Sequence, residues 1–216
     1  MKNKVIEAIE KEKIIVIVRG VDKDKLIPLC NAMYQGGIRL LELTFDAGKK
    51  ISDSDTAENI KMLAEEFSGR MFIGAGTVLT KKQVELVKKA GGSFIISPNT
   101  DKKVIKATKK LGMVSMPGAL TPSEIKKAVD YGADFVKLFP VSSFGPDYVK
   151  AVKAPLSNVK FTAVGGIDEN NMKDYIKVGV SGFGIGTNIV NKTFVENNEY
   201  DKITALAKKY VEELSK

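Results

Sequence analysis

Short, β-branched apolar runs alternate along this chain with lysine- and glutamate-rich stretches of helical period. The runs are IIVIVR (14–19), LLELTF (40–45), MFIGAGTV (71–78), SFIISP (93–98), MVSMPG (113–118), DFVKLF (134–139), VKFTAVGG (159–166) and GFGIGTN (182–188). Turn signals bound each run, and patterns such as TKKQVELVKKA and TPSEIKKAVDYG fill the intervals. This alternation predicts a parallel sheet with right-handed crossovers. Eight units leave about 25 residues each, toward the lower end for a (β/α)8 barrel. An open doubly wound sheet is the competitor. It has fewer strands and a glycine-rich turn after the first one, whereas here such turns follow the third, seventh and eighth runs. The expectation is an α/β fold, a (β/α)8 TIM barrel. It forms one domain over residues 1–216 and carries a short N-terminal helix from about Lys2 to Glu10.

Helix ends are marked locally. Thr80, Asp101 and Thr121 stand before helical patterns as N-caps, Pro122 fits the first helical position, and Thr121 with Glu124 fits a capping box. Gly36-Gly37, Gly91-Gly92, Gly112, Gly132 and Gly179 follow helical stretches, where left-handed caps favour glycine.

The chemistry must come from few residue types. Histidine and tryptophan are absent and Cys30 is the single cysteine. This excludes a Ser-His-Asp triad, a His-ligated metal and an internal disulfide. Cys30 reads as core packing. The net charge is +8, but lysines such as Lys81, Lys82, Lys88 and Lys89 are spread at helix-surface spacing. A solvated surface explains them better than nucleic-acid binding. The charged N-terminus lacks a signal-peptide core, and no apolar run is long enough to span a bilayer, so the expected location is the cytoplasm.

Active sites of this fold lie at the C-terminal ends of the strands. Alternation puts Leu41, Leu43 and Phe45 under the helices and turns Glu42 and Thr44 inward. Arg19 stands at the end of the first strand and Thr77 near the end of the third. Lys137 lies opposite Val136 and Leu138, on the side of Phe135 and Phe139. A lysine between phenylalanines in a barrel core is desolvated, which favours the free amine, and a free amine adds to a ketone to form a Schiff base. Glu42 could then move protons and Arg19 could hold a carboxylate. On the residues alone, a rim lysine reaching solvent and a structural Glu42–Arg19 ion pair stay open. The turns AVGGID (163–168) and GFGIGTN (182–188) follow the strands where barrels bind phosphate through backbone N–H groups.

The segments IVIVRG, LLELTF, IGAGTVLT, FIISPNTD, MPGALTPSE, GADFVKLFP and AVGGI cover nearly the whole chain. With them it resembles the bacterial 2-keto-3-deoxy-6-phosphogluconate aldolases, which also act as 4-hydroxy-2-oxoglutarate aldolases. The resemblance implies a class I, metal- and cofactor-independent aldolase that acts on a small keto acid to give pyruvate and an aldehyde, as a homotrimer. It implies that Lys137 is the Schiff-base lysine and Glu42 the proton-transfer carboxylate. Arg19 and Thr77 match residues around the pyruvyl carboxylate, and Pro98 and Phe139 match pocket walls. Gly165 and Gly166 match the phosphate-side glycines, and Thr187 falls near an anion-binding turn. Two positions depart from the pattern. Asp46 stands where well-known members have a carboxylate-binding arginine, and Val164 stands where many have threonine. A metal-independent sugar-phosphate epimerase or isomerase, and a non-catalytic barrel that binds an anionic metabolite, are the alternative readings.

Overall fold

The computed structural model describes residues 2–215. In chain order the elements are α1 (Lys2–Glu12), β1 (Ile14–Val18), α2 (Lys23–Gln35), β2 (Leu40–Thr44), α3 (Asp53–Glu66), β3 (Phe72–Gly76), α4 (Lys81–Lys89), β4 (Phe94–Ile96), α5 (Lys102–Lys110), β5 (Val114–Met116), β6 (Gly118–Ala119), α6 (Pro122–Tyr131), β7 (Val136–Leu138), α7 (Gly145–Lys153), β8 (Phe161–Val164), α8 (Met172–Lys177), β9 (Gly182–Ile185), α9 (Lys192–Glu196) and α10 (Tyr200–Ser215). The strands form one parallel sheet in the order β5-β4-β3-β2-β1-β9-β8-β7-β6. None of the described helices is long and apolar enough to cross a membrane.

The fifth run differs from the single strand that the pattern predicts. It is two short strands separated by Pro117, which has no N–H to give to a ladder. β5 pairs with β4, and β6 pairs with β7. Ser97 N donates to Met116 O at 3.3 Å, and Lys137 N donates to Pro117 O at 2.9 Å. The ring therefore closes through this break, and β5 and β6 share one of eight barrel positions.

Two apolar layers follow from the strand alternation. Val16, Leu41, Leu43, Ile73, Val136 and Leu138 belong to the large outer core beneath the helices. Ile15, Leu40, Phe94, Val114 and Phe135 face inward, where they pack with Val5 and Ile9 of α1. The N-terminal helix thus plugs the lower end of the barrel, opposite the mouth. Cys30 is fully buried in the outer core, and burial raises its thiol pKa far above the ordinary value.

The expected caps are present. Thr80, Asp101 and Thr121 accept from backbone N–H groups three residues on, and Thr80 with Gln83 adds a second capping box to that of Thr121 and Glu124. Gly37, Gly91, Gly112, Gly132 and Gly179 have positive φ, but Gly36 and Gly92 do not. Close packing explains those two. A Cβ at Gly36 would lie 2.4 Å from Ala207 Cβ, and one at Gly92 would lie 2.3 Å from Val87 Cγ1.

Gly118 shows how tightly the broken strand is held. A Cβ there would stand 2.3 Å from Pro98 O and 2.8 Å from Ser97 O. Both are backbone atoms that cannot rotate aside. Gly118→Ala is expected to destabilise the fold by about 3 kcal/mol or more, seen as a lower urea midpoint.

Candidate active site

Lys137 projects from the middle of β7 into the barrel. Its neighbours Val136 and Leu138 belong to the outer core, while Phe135 joins the inner one. The side chain is buried, and its Nζ lies 5.1 Å from the centroid of the Phe139 ring. Phe139 itself stands at the mouth and is 41% exposed.

Glu42 enters from β2, also on the inner face, and is 2% exposed. It fits because the adjoining strand carries glycine. Gly76 on β3 pairs with Thr44, and a Cβ there would come within 2.6 Å of Glu42 Oε1. Glu42 Oε2 is buried without a hydrogen-bond partner among the described residues. Burial raises the carboxyl pKa above the ordinary glutamate range, and the charges of Lys137 and Arg19 pull partly the other way. A buried carboxyl so shifted keeps its proton to higher pH than an ordinary glutamate, so it can give a proton as well as take one. Glu42 and Arg19 form no ion pair; the Arg19 guanidinium instead donates from Nη2 to Thr77 Oγ1 at 3.2 Å.

Thr77 follows β3 with φ 54°. A β-branched residue in this left-handed region is strained, and such strain persists where surrounding structure fixes it. Here the conformation sets the hydroxyl under Arg19.

A cavity of about 400 Å³ opens beside this group. Arg19, Phe139, Gly165, Gly166 and Thr187 line it. Gly165 and Gly166 have φ of 95° and 68°. The turn is tight, since a Cβ on Gly166 would meet Ser142 Oγ at 2.5 Å. Lys137, Glu42 and Thr77 are not among the lining residues but touch or adjoin those that are. Pro98 also lies outside the lining. It stands exposed after β4, across the barrel from β8 and β9.

Sequence reasoning missed Asn188. It lines the cavity and donates from Nδ2 to Ile167 O at 3.1 Å, which ties the turn after β9 to the turn after β8. It follows Thr187 in GFGIGTN, but nothing in the pattern distinguishes it from an ordinary turn asparagine. Gly184 belongs to the same motif. A Cβ there would meet Val164 Cγ2 at 2.8 Å and Ile17 Cδ1 at 3.3 Å, so its absence makes room for the cavity floor.

Asp46 has a local task. Its carboxylate accepts from the backbone N–H groups of Gly48, Lys50 and Ile51 at 2.9, 2.7 and 3.2 Å. These bonds, led by that from Gly48, hold its pKa below the ordinary value. It folds the loop after β2 and leaves Arg19 as the one charged side chain lining the cavity among the described residues.

Comparison with known proteins points to one family. The family described as KDPG and KHG aldolase matches residues 5–206. The probable 2-dehydro-3-deoxy-6-phosphogalactonate aldolase of Rhizobium meliloti (strain 1021) is 35% identical over 177 residues, covering 82% of this chain and 81% of its own length. The KHG/KDPG aldolase of Escherichia coli (strain K12) is 32% identical over 200 residues, covering 92% of this chain and 89% of its own. A KDPG aldolase from Legionella pneumophila, solved with pyruvate captured at low pH as a covalent carbinolamine intermediate, superposes with a TM-score of 0.84 at 28% identity and covers 94% of this chain and 96% of that one. A barrel with an inward lysine, a buried glutamate and a glycine-rich cavity, matched over nearly its whole length, belongs to the KDPG and KHG aldolase family.

Proposed function

We propose that the protein cleaves a 2-keto-3-deoxy acid, such as 2-keto-3-deoxy-6-phosphogluconate or 4-hydroxy-2-oxoglutarate, into pyruvate and an aldehyde through a Schiff base on Lys137. The observation that carries this reading is the pairing of a buried inward amine with a buried carboxyl whose pKa is raised.

Lys137 Nζ adds to the C2 carbonyl, and loss of water gives an iminium. Glu42 takes the proton of the C4 hydroxyl. The C3–C4 bond breaks, its electrons pass into the iminium, and the aldehyde leaves. Glu42 returns the proton to C3 of the resulting enamine. Water then releases pyruvate and the free amine. One carboxyl serves as base and acid in turn, which suits a pKa above the ordinary glutamate range.

Arg19, steadied by Thr77, is the group suited to the C1 carboxylate. Arg19→Ala is expected to raise KM for the keto acid about 10- to 100-fold and to change kcat much less. Steady-state kinetics on the pure protein measure both. Gly165, Gly166 and Thr187 suit the distal anionic end of the substrate, and Phe139 and Pro98 suit the mouth. Val164 brings no hydroxyl to that end, so backbone N–H groups would carry more of any phosphate contact. The family resemblance extends this reading to a homotrimer in the cytoplasm.

A coupled pyruvate-release assay on phosphorylated and unphosphorylated 2-keto-3-deoxy acids, run side by side, tests the proposal. Pyruvate release from at least one of them is expected. No release from either, with ligand-induced stabilisation alone, would favour the binding-protein reading.

A further inference from the structure

Thr162 sits on β8 between Phe161 and Ala163, which both belong to the outer core. Alternation therefore turns Thr162 into the barrel, as it does Val164 two residues on. It is 2% exposed, and its Oγ1 has no hydrogen-bond partner among the described residues. Buried hydroxyls are nearly always paired, and a valine would fill the same space without that cost.

The sheet register gives the hydroxyl a neighbour. Thr162 pairs directly with Lys137 of β7, on the same inner face. On its other flank Lys137 pairs with Gly118, which has no side chain. Thr162 is thus the side chain that flanks Lys137 within the sheet. Its methyl is the arm nearer β9, 3.5 Å from where a Cβ on Gly182 would stand. The hydroxyl occupies a different staggered arm of the same Cβ.

Resting on the aldolase reading, we propose that Thr162 is a positioning residue for Lys137. Its hydroxyl accepts one N–H of the amine and so aims the nitrogen lone pair at C2 of the keto acid. As the N–C2 bond forms, the carbonyl electron pair moves to oxygen. The other amine proton passes to that oxygen, Glu42 in its acid form supplies a second, and water leaves. The iminium keeps the N–H that Thr162 holds. Thr162 gains and loses no proton, and it acts only through Lys137.

The test is the rate at which pyruvate forms a borohydride-reducible adduct on Lys137, followed by rapid quench and mass analysis over a range of pyruvate concentrations. In Thr162→Val the rate at saturating pyruvate should fall about 10- to 100-fold while the half-saturating concentration stays within about twofold. Thr162→Ser should recover the rate to within about threefold. The melting temperature of Thr162→Val should be no lower than that of the wild type, a result that separates positioning from packing. Thr162→Ala gives the same comparison should the valine variant fail to fold. A wild-type rate in the valine or alanine variant, or an equal loss in the serine variant, overturns the proposal. Absence of any Lys137 adduct in the wild type would instead overturn the aldolase reading beneath it.

Discussion

Replacing Lys137 with alanine is expected to lower turnover of a 2-keto-3-deoxy acid by about 10⁴-fold or more, a barrier increase of about 5 kcal/mol. No other residue can take over its step. Among the described residues Lys137 is the only lysine on a barrel strand, the others lying on helices or connecting segments, and the Arg19 guanidinium offers no amine lone pair. The fold should survive, because Lys137 has no ion-pair partner to strand and borders a glycine on one side. Exchanging a buried polar amine for an apolar side chain also removes its desolvation cost. Lys137→Met, which keeps most of the volume, should lose activity to the same degree. Circular dichroism and a thermal melt check the fold, and a pyruvate-release assay checks turnover. Cleavage retained in either folded variant would contradict the assignment.

Glu42→Gln should separate two steps that alanine at Lys137 removes together. Imine formation with pyruvate should persist, with solvent supplying the proton that Glu42 otherwise gives, while C–C cleavage and solvent exchange of the pyruvate methyl protons should slow by about 10²- to 10⁴-fold. Methyl exchange followed by NMR in deuterated water measures this directly, and wild-type exchange would remove Glu42 from the mechanism. The same substitution should change the pH dependence of stability. Burial raises the Glu42 pKa in the folded state, so the folded protein holds a proton that the unfolded chain releases near the ordinary value of 4.5. Stability conferred by that bound proton is full below the unfolded value, and it is lost as pH rises through the folded one. Glutamine carries no such dependence. Glu42→Gln is therefore expected to be more stable than the wild type at neutral pH, and the difference should vanish in acid. A gain of stability with a loss of chemistry is what a carboxyl held in a costly place for catalysis should give.

The alternation of LLELTF and DFVKLF was enough to turn Glu42 and Lys137 inward, because outer-face residues must be apolar to pack under helices. Helix caps were legible for the same local reason, down to the pairing of Thr121 with Glu124. Other features depend on contacts between distant segments. The break at Pro117 reads as an unremarkable strand until β4 and β7 are seen on either side of it. Gly76 and Gly184 look like strand punctuation, yet each leaves room for a side chain on the next strand, Glu42 in one case and Val164 in the other. Asp46 was read from the family pattern as a lost carboxylate binder, whereas its three backbone partners make it the organiser of its own loop. Nothing in VKFTAVGG marks Thr162, since only the register of β8 with β7 sets its hydroxyl beside Lys137.

The most direct test is to treat the wild-type protein with pyruvate and sodium borohydride, digest it and map the modified peptide by mass spectrometry. A single reduced pyruvyl group on the nitrogen of residue 137 is the predicted outcome. An unmodified chain, or stable attachment at a different lysine, would contradict it.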